Sequence, residues 1–185
     1  MDHAQETAET VYLAEDEASL YLQTTTQAVW APCGQTPQVR SDAQRTKISF
    51  YGTLNLHTGK EIVLRTPEMN GPTSVQHLEQ ILAAFPTQHI VLFWDRASWH
   101  KGTVVNQFLQ AHPQIEALYF PVASPELNPQ EHVWKATRHA VSHNHLAPKL
   151  PQLADQFQDH LAQSTFECSF LYRYGYGSIH CQNFI

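Results

Sequence analysis

Two short apolar segments constrain the fold more than any other feature of the sequence. Residues 90–94 read Ile-Val-Leu-Phe-Trp, and a second apolar segment at residues 115–120 ends before Pro121. Short apolar runs are typical of strands that are covered on both faces. An amphipathic helical pattern precedes each run, at about residues 74–85 and 101–111. Since a strand reached through a helix pairs parallel to its neighbour, the sequence predicts two buried parallel strands.

The first third of the chain predicts antiparallel strands instead. Residues 11–22 form one strand pattern, and residues 47–56 alternate and return at 62–64 after a Thr-Gly turn. Further helical patterns follow at about 130–145 and 150–163. The element order predicts an α/β fold: a mixed five-stranded sheet, with three antiparallel strands and then two parallel ones, flanked by helices.

Size and charge narrow the class of protein. The chain has 185 residues, which suits one domain, and a formal net charge of -6, which excludes a strongly basic nucleic-acid coat but not a local basic groove. Its three Cys do not form a disulfide framework. The polar first ten residues do not resemble a signal peptide, and no apolar run approaches the roughly 20 residues of a membrane span. We therefore expect a cytoplasmic protein without a membrane partner.

Three acidic residues are expected to meet at one edge of the predicted sheet. Asp16 is expected to end the first strand, Asp95 directly follows the fourth, and Glu131 lies in the first turn of the helix after the fifth. Open α/β sheets place functional groups at such strand ends. Converging carboxylates suit a hard cation, Mg²⁺ or Mn²⁺, and two ions about 4 Å apart would serve phosphoryl transfer.

Strand alternation selects Asp16 from three consecutive acids. Glu15 and Glu17 would face one side of the first strand with Leu13, and Asp16 would face the other side with Ala14. Carboxylates repel one another, so a partly buried acidic strand end needs some stabilising group.

A long contiguous motif then gives a family resemblance. Residues 120–134 contain Ser-Pro-x-Leu-Asn-Pro-x-Glu-x-x-Trp, with Arg138 following, while Asp16-Glu17 and Asp95 precede it in order. This set, with Trp30, Gly34 and Pro37 after the first acid and His100 after the second, resembles the DDE-type transposases. The similarity is to the bacterial insertion-sequence branch of the mariner-like superfamily, over about residues 11–163.

The resemblance implies a ribonuclease-H-like catalytic domain at residues 11–165 that cleaves and joins DNA strands in DNA transposition. Asp16, Asp95 and Glu131 would be its catalytic metal ligands, with Mg²⁺ or Mn²⁺, and DNA of the transposon ends and target its partner in a bacterial nucleoid. Residues 1–10 would be a flexible lead-in, and residues 166–185 remain unassigned. An N-terminal helix-turn-helix domain, which full-length relatives carry, is expected to be absent.

The sequence departs from the family pattern at three positions and leaves alternatives open. Arg96, Ala123 and Gln130 stand where the family commonly has Asn, Tyr and Ile. Arg96 could alter metal affinity at Asp95. An alternative function is an inactive or repurposed transposase fragment that binds nucleic acid or protein. A different nuclease of the same fold is a third, which the long motif disfavours.

Several side chains have both a functional and a structural interpretation. Candidate DNA contacts are His100, Lys101, Lys135 and Arg138; the alternatives are a hydrogen-bonded structural histidine and a solvated helix face. Trp94 and Trp134 are predicted core residues. A zinc site at His139 and His143 is disfavoured, since no convincing further ligands are evident. Residues 23–46 would be either an arm that contacts a second copy in a homodimer or a plain surface loop.

Overall fold

The sheet has the predicted five strands. A computed structural model describes residues 10–36, 38–39, 46–122 and 124–166. The strands are β1 (Thr10–Tyr21), β2 (Lys47–Asn55), β3 (Glu61–Thr66), β4 (His89–Trp94) and β5 (Ile115–Tyr119). Their order is β3-β2-β1-β4-β5. β1 and β2, and β2 and β3, pair antiparallel, whereas β4 is parallel to both β1 and β5. The predicted mixed sheet is therefore confirmed.

Helices cover both faces of the sheet and divide the core in two. The α-helices are α1 (Gly71–Ala84), α2 (Thr103–Ala111), α3 (Pro129–Thr137) and α4 (Leu150–Gln163), and a π-helical turn, Arg138–Ser142, continues α3. One core contains Leu13 with residues of α1 and α2, and the other contains Ala14 with residues of α3 and α4. Adjacent residues of β1 thus serve opposite layers. Within the described ranges, no helix is both long and apolar enough to cross a membrane.

Helix α1 begins earlier than the sequence suggests. Asn70 is the N-cap: its side chain accepts a hydrogen bond from the Thr73 backbone N–H at 3.0 Å, and Thr73 Oγ1 accepts one from the Asn70 N–H at 3.0 Å. Thr73 therefore closes a capping box from inside the helix, and α1 begins at Gly71, before the helical pattern that starts at about residue 74. In α3, Asn128 is the N-cap, and its side chain accepts a hydrogen bond from the Gln130 N–H at 3.1 Å.

The last strand is less buried than its apolar sequence predicts. β5 lies at an edge of the sheet, and the exposed fractions of Leu118 and Tyr119 are 39% and 37%. The expectation that both parallel strands are covered on two faces holds for β4 but is wrong for β5. An apolar run reports hydrophobicity and not position in the sheet, so it cannot distinguish a central strand from an edge strand.

Candidate active site

The three predicted acids line one cavity of about 320 Å³. Asp16 lies within β1, so the expectation that it ends the first strand is wrong; β1 continues to Tyr21 because this part pairs with β2. Asp95 follows β4, and Glu131 comes from the first turn of α3. Ala14 is paired with Phe93 in the parallel β1–β4 ladder. Asp16 and Asp95, each two residues further along, therefore lie at the same level, at the carboxyl end of β4. Asp16 is 9% exposed, Asp95 is about half exposed, and Glu131 is exposed. The cavity therefore joins a buried carboxylate to two solvent-accessible ones.

A glycine in β2 lets α3 approach the sheet beside these acids. Gly52 is paired with Asp16, and a Cβ at Gly52 would overlap Gln130 Nε2 and Trp134 Cη2. Trp134 is 1% exposed and stacks against Phe157 of α4, with ring centroids 6.3 Å apart, so its predicted core role is confirmed. The close approach of the helix holds its first turn, and with it Glu131, at the cavity.

Asp16 lies in an environment that opposes its negative charge. Burial, followed by the charges of Glu131 and Glu17, raises the pKa of Asp16 to about 8. Arg96 also lines the cavity, but its Nε donates to the Phe120 carbonyl at 3.2 Å. The cavity is thus an oxygen-rich, negatively charged site of the kind that divalent cations occupy.

The opposite face of β1 carries a closed acidic cluster around His100. Its Nε2 lies 2.9 Å from Glu17 Oε1 and 3.5 Å from Glu15 Oε2, and its Nδ1 lies 3.0 Å from Asp95 Oδ1. Trp99 Nε1 also donates to Glu17 Oε1. Burial disfavours a charged imidazole, but the hydrogen bonds to Asp95 and Glu17 outweigh it and raise the pKa of His100 to about 11. The imidazolium is the stabilising group that the acidic strand end requires.

The ligand atoms of this cluster are as close together as those of a metal site, but its own imidazolium already provides the positive charge. Among the described residues, Glu15, Glu17 and His100 form a group of three whose ligand atoms lie within 4.8 Å of one another, and the three cavity acids do not form such a group. The protonated ring already supplies positive charge to Glu15 and Glu17, and its Nε2–Glu17 distance is that of a charge-assisted hydrogen bond. The cluster is therefore occupied by a cation of the chain itself.

The position of His100 corrects one sequence expectation. His100 is a candidate DNA contact by sequence, but its side chain is 0% exposed and stacks on Trp94 with ring centroids 4.4 Å apart. A phosphate cannot reach this ring, so the structural interpretation applies. The hydrogen bond from His100 also lowers the pKa of Asp95, against the opposing effect of burial. His100 thereby connects Glu17 of β1 to Asp95 in the cavity. Trp94 is buried, as predicted.

The other candidate DNA contacts divide between two places. Lys135 and Arg138 line a neighbouring groove of about 590 Å³, which shares Glu131 and Pro125 with the acidic cavity. Lys101 lies elsewhere, with its Nζ 5.8 Å from the centroid of the Tyr119 ring. The structure thus brings two of the predicted basic residues directly beside Glu131.

The segment after β1 contacts the end of the π-helical turn. Thr25 forms an isolated parallel bridge with His143, and its Oγ1 lies 2.6 Å from His143 Nδ1. Further along, Trp30 is fully exposed. The rings of His139 and His143 have centroids 6.4 Å apart and meet edge to face.

A profile of the family described as DDE superfamily endonuclease matches residues 11–154. The chain belongs to this family. A protein of insertion element IS630 from Shigella sonnei, described as an uncharacterized 39 kDa protein, is 27% identical over 140 residues, covering 75% of this chain and 41% of that protein. The chain therefore spans less than half the length of this relative.

Solved structures agree on the fold of this DDE domain. A Mos1 transposase paired-end complex with the left transposon end has a TM-score of 0.63 at 16% identity, over 88% of this chain and 50% of the Mos1 chain. A Mos1 mariner paired-end complex with Mn has a TM-score of 0.63 at 15% identity, over 88% and 51%. The predicted ribonuclease-H-like fold is confirmed.

The residues that pack behind the cavity acids, on the opposite face of β1 and under α3, were not predicted from the sequence. From the sequence, Glu15 and Glu17 are only alternatives to Asp16, and neither Gly52 nor Glu61 has a predicted role at the site. Their i, i+2 spacing does place the two Glu side chains on a common face opposite Asp16. That spacing is a readable signal of a second acidic site, but it does not name the donor that stabilises it.

Proposed function

We propose that this chain provides the catalytic domain of a bacterial insertion-element transposase, which cleaves and joins DNA strands. The observation that carries the proposal is the convergence of Asp16, Asp95 and Glu131 on one cavity within a DDE-family domain. The proposed site of action is the DNA of the bacterial nucleoid. Family membership and the insertion-element relative favour this function over a repurposed binding module.

The chemistry of the cavity fits divalent metal. Asp16, Asp95 and Glu131 offer only carboxylate oxygens, which Mg²⁺ and Mn²⁺ prefer, and we propose that they hold two ions. When bound, such ions supply charge stabilisation to the attacking and leaving oxygens of a phosphodiester. The chain itself holds Asp95 in place, because its Oδ1 accepts hydrogen bonds from the Ala97 N–H at 2.7 Å and from His100. Asp95 is thus presented as a preorganised ligand.

The groove beside Glu131 supports a path for DNA. Lys135 and Arg138 would contact backbone phosphates, which positions a strand without reading its sequence. Lys101, near Tyr119, would extend this path. If so, replacing Lys135 and Arg138 with Ala weakens DNA binding and flattens its salt dependence, while Lys60→Ala, outside the groove, changes neither. Unchanged salt dependence in the double variant would remove this groove from the DNA path.

A second copy of the chain is a proposed partner through residues 23–46. In the described part of this segment, Trp30 is fully exposed and Val29 is 54% exposed, whereas Thr25 is anchored to His143. An anchored segment with an exposed indole suits a contact between subunits. Sedimentation of the wild type and Trp30→Ala tests it: a dimer that persists in the variant at the same concentration would contradict the role of Trp30.

The central experiment measures Mn²⁺-dependent nicking of DNA that carries the ends of the element. The full-length protein is compared with Asp95→Asn, and with Asp159→Asn as a matched control on the exposed face of α4. We expect nicking to disappear in Asp95→Asn and to stay at the wild-type rate in Asp159→Asn. Calorimetric titration with Mn²⁺ accompanies it. Equal nicking by Asp95→Asn contradicts the mechanism, and a folded protein that binds no Mn²⁺ favours the binding module.

A further inference from the structure

A buried polar pair lies under the first turn of α3, directly before Glu131. Gln130 is 0% exposed, and its Nε2 donates to Glu61 Oε2 of β3 at 3.1 Å. The other two oxygens of the pair, Glu61 Oε1 and Gln130 Oε1, are buried and have no hydrogen-bond partner among the described residues. An ionised Glu61 would leave two acceptors of the same contact without donors, which is an unfavourable arrangement in a protein interior.

Among the described residues, the basic side chains that neighbour Glu61 in sequence are paired elsewhere. Arg65, which lies on the same face of β3, pairs with Asp155 of α4 at 2.6 Å. Lys60 Nζ donates to the Ser164 carbonyl at 3.3 Å. A proton on Glu61 Oε1 resolves both unpartnered atoms together, because it turns one acceptor into the donor that the Gln130 carbonyl oxygen lacks. Burial raises the pKa of Glu61 to about 8, in agreement with a neutral acid.

The pair occupies the point where the helix rests on the sheet. Gln130 Nε2 lies over Gly52, the residue paired with Asp16, where a Cβ would overlap it. The Gln130 backbone N–H is also fixed, since it donates to the Asn128 cap. Both the backbone and the side chain of residue 130 are therefore held. The next residue is Glu131, which projects toward the cavity about 100° around the helix.

We propose that Glu61 is a neutral carboxylic acid that forms a reciprocal hydrogen-bonded latch with Gln130, and that this latch positions Glu131 in the acidic cavity. Glu61 is thus a positioning residue that acts through α3. Gln130 is one of the positions where the chain departs from the common family residue, Ile, so the latch is a property of this sequence. The positioning half of the inference rests on the proposed metal-binding role of Glu131.

The protonation of Glu61 is tested by unfolding the protein and Glu61→Gln over a range of pH. An amide at residue 61 can make the same two hydrogen bonds at every pH. An acid whose pKa rises on folding stabilises the fold below its unfolded pKa of about 4.5, and that stability is lost as pH rises through about 8. We expect equal melting temperatures near pH 4, then a growing advantage of Glu61→Gln that levels off above pH 8.

The matched control for this series is Glu79→Gln, an exposed acid of α1. Its melting temperature should follow that of the wild type across the range. A Glu61→Gln variant that is less stable than the wild type at pH 7 would show that Glu61 is ionised, which overturns the latch.

The positioning role is tested by Mn²⁺ affinity. We expect Glu61→Gln to bind within about twofold of the wild type, whereas Glu61→Leu, which leaves the Gln130 amide unpaired, should lose about 10- to 100-fold. Should Glu61→Leu not fold, Glu61→Leu with Gln130→Ile replaces both polar groups and keeps the helix packed. If folded Glu61→Leu binds Mn²⁺ with wild-type affinity, Glu61 does not position Glu131. A loss of Mn²⁺ affinity in Glu61→Gln would overturn the same claim. If Asp16→Asn still binds Mn²⁺ like the wild type, the proposed metal site is wrong. The pH dependence of stability would still test the protonation of Glu61 independently.

Discussion

The two faces of β1 carry acids with opposite surroundings. On one face, Glu15 and Glu17 are 2% and 4% exposed and pack against an imidazolium and an indole N–H. On the other face, Asp16 lines an open cavity with Asp95 and Glu131. Three consecutive residues of one strand therefore build a closed, internally neutralised cluster and an open, negatively charged site.

The difference lies in where the positive charge comes from. The closed face contains its own cation, His100, whose hydrogen bonds extend to Asp95. On the open face, burial and neighbouring carboxylates raise the pKa of Asp16 as they raise that of Glu15, but Arg96, which lines the cavity, donates its Nε–H to the Phe120 carbonyl and not to a carboxylate. Burial of an acid alone therefore does not indicate its function. On β1, an acid with a charged donor beside it has a structural role, whereas an acid without one lies in the candidate functional site.

The largest effect should separate the two faces directly. Asp16→Asn should reduce Mn²⁺-dependent DNA cleavage by at least about a thousandfold, because a neutral amide weakens metal binding. Glu15→Gln should reduce it by only a few-fold, since burial and the charge of Glu17 hold the pKa of Glu15 well above its usual value and favour a neutral group there. Single-turnover cleavage of labelled DNA measures both. Equal losses in the two variants would erase the distinction between the faces.

An intermediate effect should appear when the internal cation is removed. His100→Ala leaves Glu17 buried without its positive partner, which should cost about 3–5 kcal/mol of unfolding free energy. Urea denaturation at pH 7 measures the change. The matched control is His112→Ala at the end of α2, outside the acidic cluster. A loss in His100→Ala no larger than in His112→Ala would mean that the imidazolium does not stabilise the cluster.

The smallest effect should come from the second donor. Trp99→Phe keeps an aromatic ring but removes the N–H that donates to Glu17, so we expect a loss of about 1.5–3 kcal/mol of unfolding free energy. Cleavage per folded molecule should stay near the wild-type rate. The same denaturation series tests it, and a stability unchanged in Trp99→Phe would assign the whole stabilisation of Glu17 to His100.

Much of this arrangement could be read from the sequence. The alternation of β1 predicts that Asp16 faces away from Glu15 and Glu17. The element order predicts the mixed sheet but not its strand order, and it is the observed pairing of β1 with β4 that brings Asp16 beside Asp95. The motif around Glu131 supplied the third acid, and the structure brings it to the same cavity.

The contacts below the cavity could not be predicted. His100 reaches β1 through a short 3₁₀ turn, Ser98–Lys101, and Gln130 meets Glu61 where α3 packs on the sheet. Such partners are set by how layers stack, and neither hydrophobic period nor residue spacing encodes the stacking. The exposure of β5 was missed for a related reason, since no strand pairs with its outer edge in the described part of the chain.

The pairing of β1 has a consequence for folding fidelity. A slip of one residue along the sheet would exchange its two faces and place either Glu15 or Glu17, depending on its direction, at the position of Asp16. A slip in one direction would push Leu13 into the space shaped for Ala14, and a slip in the other would put Ala14 where Leu13 packs and leave a void; both errors are costly in close-packed interiors. The packing of Leu13 and Ala14, two side chains that do not line the cavity, therefore determines which carboxylate faces it.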